Sequence, residues 1–300
     1  MFMLIRPVGG IVMRRLHYLI FIASLLLLLS ACTVATETDN QASNEQPIRF
    51  ADGVITTNDT TERSLTFSPD GTEVYFHRRD HNFPIVYKSQ YMKGTWSSPI
   101  IAEFAPDRFH NESAFISPDG QSLFFASNRP GDREDNLLPQ YRIWIMHLIE
   151  GQWSNPENPL PLNGDYEDAY PSVSKDGTLI FTSNRSGGIG GFDLYQSEFV
   201  DGQYTTPINL GSTMNTVGDD YPSYIDQDGN FIILCRGTEM LISYHHTNTW
   251  SQPEKLYLQA NPSEPLVGRA PYISPDQKMF YYENSGDFYQ IDLDQLNIKR

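Results

Sequence analysis

The chain has 300 residues, with 21 basic against 37 acidic side chains, a net charge of −16 and two cysteines. That acidic balance excludes the phosphate-neutralising face that nucleic-acid binding needs, works against docking on anionic lipid headgroups, and two cysteines cannot build a disulfide framework. Aromatic residues at 13%, 21 glycines and 20 prolines point to a turn-rich β protein whose length suits one large domain.

In chain order, the first element is a leader. Arg14-Arg15 precede the apolar run LHYLIFIASLLLLL and then Ser30-Ala31-Cys32, the charged, apolar and small-residue layout of a secretory signal. The run is too short and too sharply ended for a membrane-spanning helix. Leu29-Ser30-Ala31-Cys32 resembles a bacterial lipobox, which implies cleavage after residue 31 and lipid on Cys32; the alternative is an ordinary signal with a cysteine nearby. By the same resemblance, Thr33 instead of aspartate favours the outer membrane. Met13 offers a later start. The expected organisation is a lipoprotein signal peptide at 1–31, a polar flexible tether at 32–46 and a globular part at 47–300. Loss of Arg6, Arg14 and Arg15 with the signal takes the net charge from −16 to −19.

The globular part repeats itself. SLTFSPDGTEVYFHRRD from Ser64 is followed by SAFISPDGQSLFFASNRPGD from Ser113, YPSVSKDGTLIFTSNRSGG from Tyr170, YPSYIDQDGNFIILCRG from Tyr221 and APYISPDQKMFYYEN from Ala270. Each reads as strand, turn, strand. In Ser-Pro-Asp-Gly, serine suits the first position of a type I turn, proline pre-sets the backbone of the second, and glycine takes the left-handed conformation that follows. The turn aspartates Asp70, Asp119, Asp176, Asp228 and Asp276 lie 49, 57, 52 and 48 residues apart, the length of a four-stranded blade with its loops. Four copies carry a downstream echo, at Trp96-Ser97-Ser98-Pro99, Trp153-Ser154-Asn155-Pro156, Tyr204-Thr205-Thr206-Pro207 and Trp250-Ser251-Gln252-Pro253.

The fifth copy ends one strand short, and Pro47-Ile48-Arg49-Phe50 begins where other copies continue after their proline, as in Pro99-Ile100 and Pro207-Ile208. The expectation is therefore an all-β, five-bladed propeller closed by pairing the N-terminal strand with the last blade, six blades being the alternative. Closing the ring buries sheet faces against one another and leaves short, protected edges. The strings FSPDG, ISPDG, FASNRPGD and FTSNRSGGIGGFDLY resemble the WD40-like, or PD40, repeats of TolB-type propellers over residues 48–300. Asp226-Gln227 and Gln277 depart from the pattern, which predicts a strained or altered last turn.

Functional residues are sought among the acids. Glu62, Glu112, Asp168 and Asp220, with Glu112 offset by one place and Arg269 in the fifth copy, precede the first strands; first strands line a propeller's channel, so these four predict a ring at one mouth that binds a ligand or partner. Such a ring attracts a cation, an amine or a basic surface, so a channel-bound cation stays open, with no other cofactor expected. DYEDAY and GDDYPS add aromatic rings suited to sugars, and packing or loop capping explains them equally. Two of the acids serving as acid and nucleophile would make a glycosidase, but no feature singles out a pair. No Gly-x-Ser-x-Gly elbow is present. His77, His81, His245 and His246 lack zinc spacing and read as loop histidines, and Cys235 reads as a packed thiol. DQDGN lacks the sixth-place glycine and twelfth-place glutamate of a calcium loop.

These readings converge on a lipid-anchored envelope module that binds a protein or cell-wall component and touches the membrane only through its lipid. The alternative is a carbohydrate-active enzyme using the same mouth. The resemblance to TolB-type propellers implies a periplasmic setting.

Overall fold

Each repeat folds around a turn that its own side chains complete. In the computed structural model, which describes residues 46–80, 83–105, 109–130 and 140–299, the serine hydroxyl of Ser68, Ser117, Ser174 and Ser274 donates to the aspartate two places on at 2.5–2.6 Å. In the fourth copy Asp226 takes over and accepts the Asp228 N–H at 3.3 Å. The fifth turn is built like the others: Gln277 donates its N–H to the Ser274 carbonyl at 2.9 Å, as Gly71 does to Ser68 at 2.8 Å. Its φ of +59° sits where Gly71, Gly120, Gly177 and Gly229 adopt +71° to +85°, so the strain expected from the sequence falls on a side-chain-bearing left-handed residue.

Five antiparallel sheets result. The first blade comprises Glu62–Phe67, Glu73–Asp80, Phe83–Met92 and an edge of Thr95–Trp96 and Ile100–Ile101; the second, Asn111–Ile116, Ser122–Ser127, Arg142–Ile149 and Gln152–Trp153. The third holds Asp168–Val173, Leu179–Ser183, Asp193–Ser197 and Ile208–Asn209, and the fourth Asp220–Ile225, Phe231–Arg236 and Glu239–His246 with Thr249–Trp250 and Glu254–Lys255 outside. Arg269–Ile273, Met279–Asn284 and Asp287–Asp292 form the fifth, and Ile48–Arg49 completes it. First strands pack against one another in cyclic order, the fifth against the first. The blades number five.

The clasp is the predicted one. Ile48 pairs with Gln290 and Arg49 with Tyr289, and the Phe50 N–H reaches the Phe288 carbonyl at 2.9 Å. Phe50 then turns inward between blades, its ring 5.1 Å from Tyr281, 5.6 Å from Trp96 and 5.8 Å from Phe67. The echo motif also acquires a purpose. Its aromatic residue wedges between neighbouring blades, as Tyr204 does on Phe124 at 6.1 Å, and the hydroxyl after it accepts an N–H of the third strand, or in the third blade of Glu198 just past it, at 3.0–3.1 Å in all four copies.

Two features shape the centre. Side-chain hydroxyls staple adjacent first strands: Thr66 accepts the Ile116 N–H at 3.1 Å, Ser172 the Ile225 N–H at 2.9 Å, and Tyr272 the Phe67 N–H at 3.2 Å. Phe115, Tyr224 and Tyr272 meet ring to ring at 5.7–6.5 Å and plug the channel. A space of about 90 Å³ is left on the hairpin-turn side and about 30 Å³ on the other. Among the described residues the only α-helix is Gly211–Met214, and no helix is long and apolar enough to cross a membrane. The expected signal, tether and lipid-bearing Cys32 lie outside the described residues, Gln46 apart.

Candidate functional site

Three of the four predicted acids are internal. Glu62, Asp168 and Asp220 open their first strands and are fully buried, each gripped by an arginine of its own blade: Arg78 on Glu62 at 3.1 Å, Arg185 on Asp168 at 2.7 Å and Arg236 on Asp220 at 2.7 Å. Each arginine also donates to a carbonyl of the loop before the blade, at Ile55 (2.6 Å), Leu162 (3.0 Å) and Met214 (2.9 Å). Asn111 holds the corresponding place in the second blade, where Arg129 bonds its Oδ1 at 2.7 Å and the Phe104 carbonyl at 2.9 Å. The arrangement is a repeated pin that ties an incoming loop to the first two strands. Burial raises the pKa of Glu62 and Asp168 against the pull of their arginines, and one oxygen of each lies buried without a hydrogen-bond partner.

Glu112 behaves differently because it sits one residue further along. Successive strand side chains face opposite ways, so the position shared by Arg63, Glu112, Ala169, Tyr221 and Arg269 faces away from the pins. It is followed by a bulge: pairing slips by one residue in all five first strands. At the slip, Ser64, Ser113, Tyr170 and Ala270 take φ of +48° to +55°, a conformation costing each about 1–2 kcal/mol. Bulges of this kind re-aim side chains, and here polar and aromatic groups of all five first strands come to one mouth of the plugged channel.

The mouth mixes rings and charges. Tyr170 and Tyr221 lie 5.8 Å apart and Phe192 meets Tyr221 at 5.7 Å. Gly190 puts Phe192 there: a Cβ on it would stand 2.0 Å from the Gly218 carbonyl oxygen, so only glycine lets this loop reach the neighbouring blade, and a Cβ on Gly191 would displace the Asp219 carboxylate, 2.4 Å away. On the opposite side His110 pairs with the Tyr141 hydroxyl at 3.1 Å and Phe83 at 4.7 Å. Arg63, Arg79, Arg269 and Glu112 make no side-chain hydrogen bond or ion pair among the described residues, and Arg63 Nε is buried without a partner. Burial pushes the Glu112 carboxyl up to about 7 despite Arg79 and Arg63, with Glu167 adding to the rise. Burial, with Glu112 second, likewise raises Tyr170 and Tyr141.

No protein-family model matches the chain, and no curated protein matches it. Among solved structures, the TolB of Acinetobacter baumannii is similar at TM-score 0.48 and 19% identity over 80% of this chain and 54% of its own. A putative TolB from Agrobacterium tumefaciens gives 0.48 and 17% over 79% and 76%, and an α-L-arabinofuranosidase from Lactobacillus brevis 0.52 and 12% over 74% and 83%. This is a five-bladed β-propeller. The chain spans about half the length of the Acinetobacter TolB, and at these identities the likeness is one of fold.

Within the propeller the remaining candidates have structural roles. His77 lies on a strand, not in a loop as its polar surroundings suggested: it is buried, its Nδ1 accepts the Ser113 N–H at 3.2 Å, and burial followed by Arg63 and Arg79 lowers its pKa to about 3. His245 and His246 are exposed at a strand end. Cys235 is fully buried and burial pushes its thiol up to about 12, which makes it inert. No group of three metal-ligating side chains occurs among the described residues. Asp226 to Asn230 form the fourth hairpin turn, closed by Gly229 on the Asp226 carbonyl at 2.8 Å.

Proposed function

We propose that the protein is a lipid-anchored propeller of the bacterial envelope, held by Cys32 and facing the periplasm, that works as a binding or scaffolding module. Its partner, an envelope protein or cell-wall component, is met at the mouth formed by Arg63, Arg79, Glu112, Tyr170, Tyr221 and Arg269. One observation carries this reading: elsewhere the first strands spend their charges on internal pins, whereas these four charged side chains remain without hydrogen bonds or ion pairs among the described residues beside half-buried rings. Arginine and tyrosine are also the residue types that contribute most where surfaces bind. Capture from envelope extract by the full chain in detergent tests it. Arg63→Ala and Tyr221→Ala should lose the captured component, while a rim change at the exposed Ile208 should retain it; equal capture by all variants overturns the mouth. Labelling of the parent but not Cys32→Ala by an alkyne fatty acid tests the anchor.

A second reading has its own support. The Glu112 carboxyl, which burial pushes up to about 7 with Glu167 adding to the rise, is the kind of group that general acid catalysis of glycoside cleavage uses. Turnover of a glycan that disappears in Glu112→Gln would favour the enzyme.

A further inference from the structure

The charge at the mouth runs against the charge of the molecule. The chain is acidic overall, yet Arg63 and Arg79 of the first blade act on Glu112, and Arg63 together with Arg269 of the fifth acts on Tyr170. Arginine is seldom left half-buried without a partner; Arg63 and Arg269 are half-buried, Arg79 is exposed, and the buried Arg63 Nε has no partner among the described residues. A planar, forked guanidinium is matched best by a carboxylate or another oxyanion. The net charge of −16 opposes a long polyanion lying across the surface, so the complementary group arrives at the mouth itself, as the end residue of a chain or a short oligomer does.

The shape narrows the ligand further. Beneath the mouth only about 30 Å³ remains, bounded by Ser64, Ser113, Tyr170, Ala270 and Tyr272, and the aromatic plug lies below. A side chain reaching down the channel has no room. A flat group resting on the floor does, and the half-buried Tyr170, Tyr221 and Phe192, grouped at 5.7–5.8 Å, supply aromatic surface for it. A hexuronic acid residue combines both features, an apolar ring face for the aromatics and a carboxylate in the ring plane for the arginines.

On the reading that the mouth is the working site, we propose that it binds the uronate residues of an acidic glycan, with Arg63 and Arg269 on the carboxylate and Tyr170 and Tyr221 under the sugar. Glu112 tunes the site. When ionised it offsets one arginine, and the groups facing it are Arg63 and Arg79 of the first blade, Tyr141 of its own blade, and Glu167 and Tyr170 of the third. Binding is therefore expected to weaken as the pH rises through about 7.

Calorimetric titration of the full chain in detergent with trigalacturonate and triglucuronate, against maltotriose and a glutamate-rich peptide, tests the assignment. The trigalacturonate or triglucuronate should bind at least tenfold more tightly than maltotriose, lose tenfold or more in Arg63→Ala, Arg269→Ala and Tyr221→Ala, and weaken with salt. Glu112→Gln should bind severalfold more tightly than the parent at pH 8, a gain that misfolding does not produce. Maltotriose binding as well as the uronates overturns the proposal. Binding of the acidic peptide alone, lost in the same variants, overturns the sugar and leaves the mouth standing. If no ligand binds and the mouth variants still capture the parent's partner from envelope extract, both readings fall.

Discussion

Asp168→Ala separates a pin from a ligand group. The substitution leaves the Arg185 guanidinium, only 12% exposed, without its counter-charge, although it keeps the Leu162 carbonyl and its stacking on Phe181 and Tyr195 at 5.0 and 4.9 Å. Breaking a buried pair in this way costs about 3–5 kcal/mol. The retained contacts, and the burial that already raises the Asp168 pKa, place the expected loss near the lower end. At about 2–4 °C per kcal/mol for a domain of this size, Tm should fall by roughly 6–12 °C. Scanning calorimetry of Asp168→Ala, Arg185→Met and the double variant provides the measurement. The double variant should recover most of the loss, since apolar groups of similar volume replace a buried pair at little cost, and mouth ligands should bind all three alike while they are folded. An unchanged Tm with lost ligand binding in Asp168→Ala would refute the pin and restore the acid to the binding site.

Three further outcomes are expected. Phe50→Ala empties the space between Phe67, Trp96 and Tyr281 and should destabilise by about 3–5 kcal/mol in urea unfolding, whereas a loss below 1 kcal/mol would mean that the clasp is peripheral. Glu112→Gln should flatten part of the pH dependence of stability. The folded carboxyl, near pKa 7 against an ordinary 4.5, holds a proton that the unfolded chain has released, so stability falls as pH rises from about 4.5 to 7. The displacement is worth about 3 kcal/mol, reduced to roughly 1–2 by solvent at a partly exposed group. Because buried His77, lowered to about 3, contributes the opposite slope up to about 6.5, the difference between variant and parent is the quantity to follow. It should favour the variant at pH 8 and vanish at pH 4. Gln277→Gly removes the side chain from a left-handed residue and should raise stability by roughly 0.5–1 kcal/mol; a loss in thermal unfolding would contradict the strain.

What the sequence disclosed was local chemistry repeated. Ser-Pro-Asp-Gly specifies its turn within four residues, five copies specify the ring, and Pro47-Ile48 matches Pro99-Ile100 closely enough to reveal the clasp. The roles of the acids were hidden in parity. Glu112 is offset by one residue from Glu62, Asp168 and Asp220, and in a strand one residue is the difference between facing the pins and facing the mouth. A signal did exist: Arg78, Arg129, Arg185 and Arg236 follow the pin position of their blades by 16 to 18 residues. An arginine across the hairpin at that spacing marks three of the four acids as internal. The bulges at Ser64, Ser113, Tyr170 and Ala270 carry no such mark, since left-handed serine, tyrosine and alanine are unusual choices imposed by the ring as a whole. His77 reads as a loop residue because Arg78, Arg79 and Asp80 beside it are charged, while the strand runs on through them to Asp80.

The most direct test is a photo-crosslinking amino acid placed in turn at Tyr221, at the exposed rim residue Ile208 and on the hairpin-turn side at Lys175, with the full chain expressed in a bacterial host. The account predicts a discrete adduct from Tyr221 that uronate oligosaccharide competes away, and none from Ile208 or Lys175. An adduct confined to the rim or to the turn side would contradict a working mouth at the starts of the first strands.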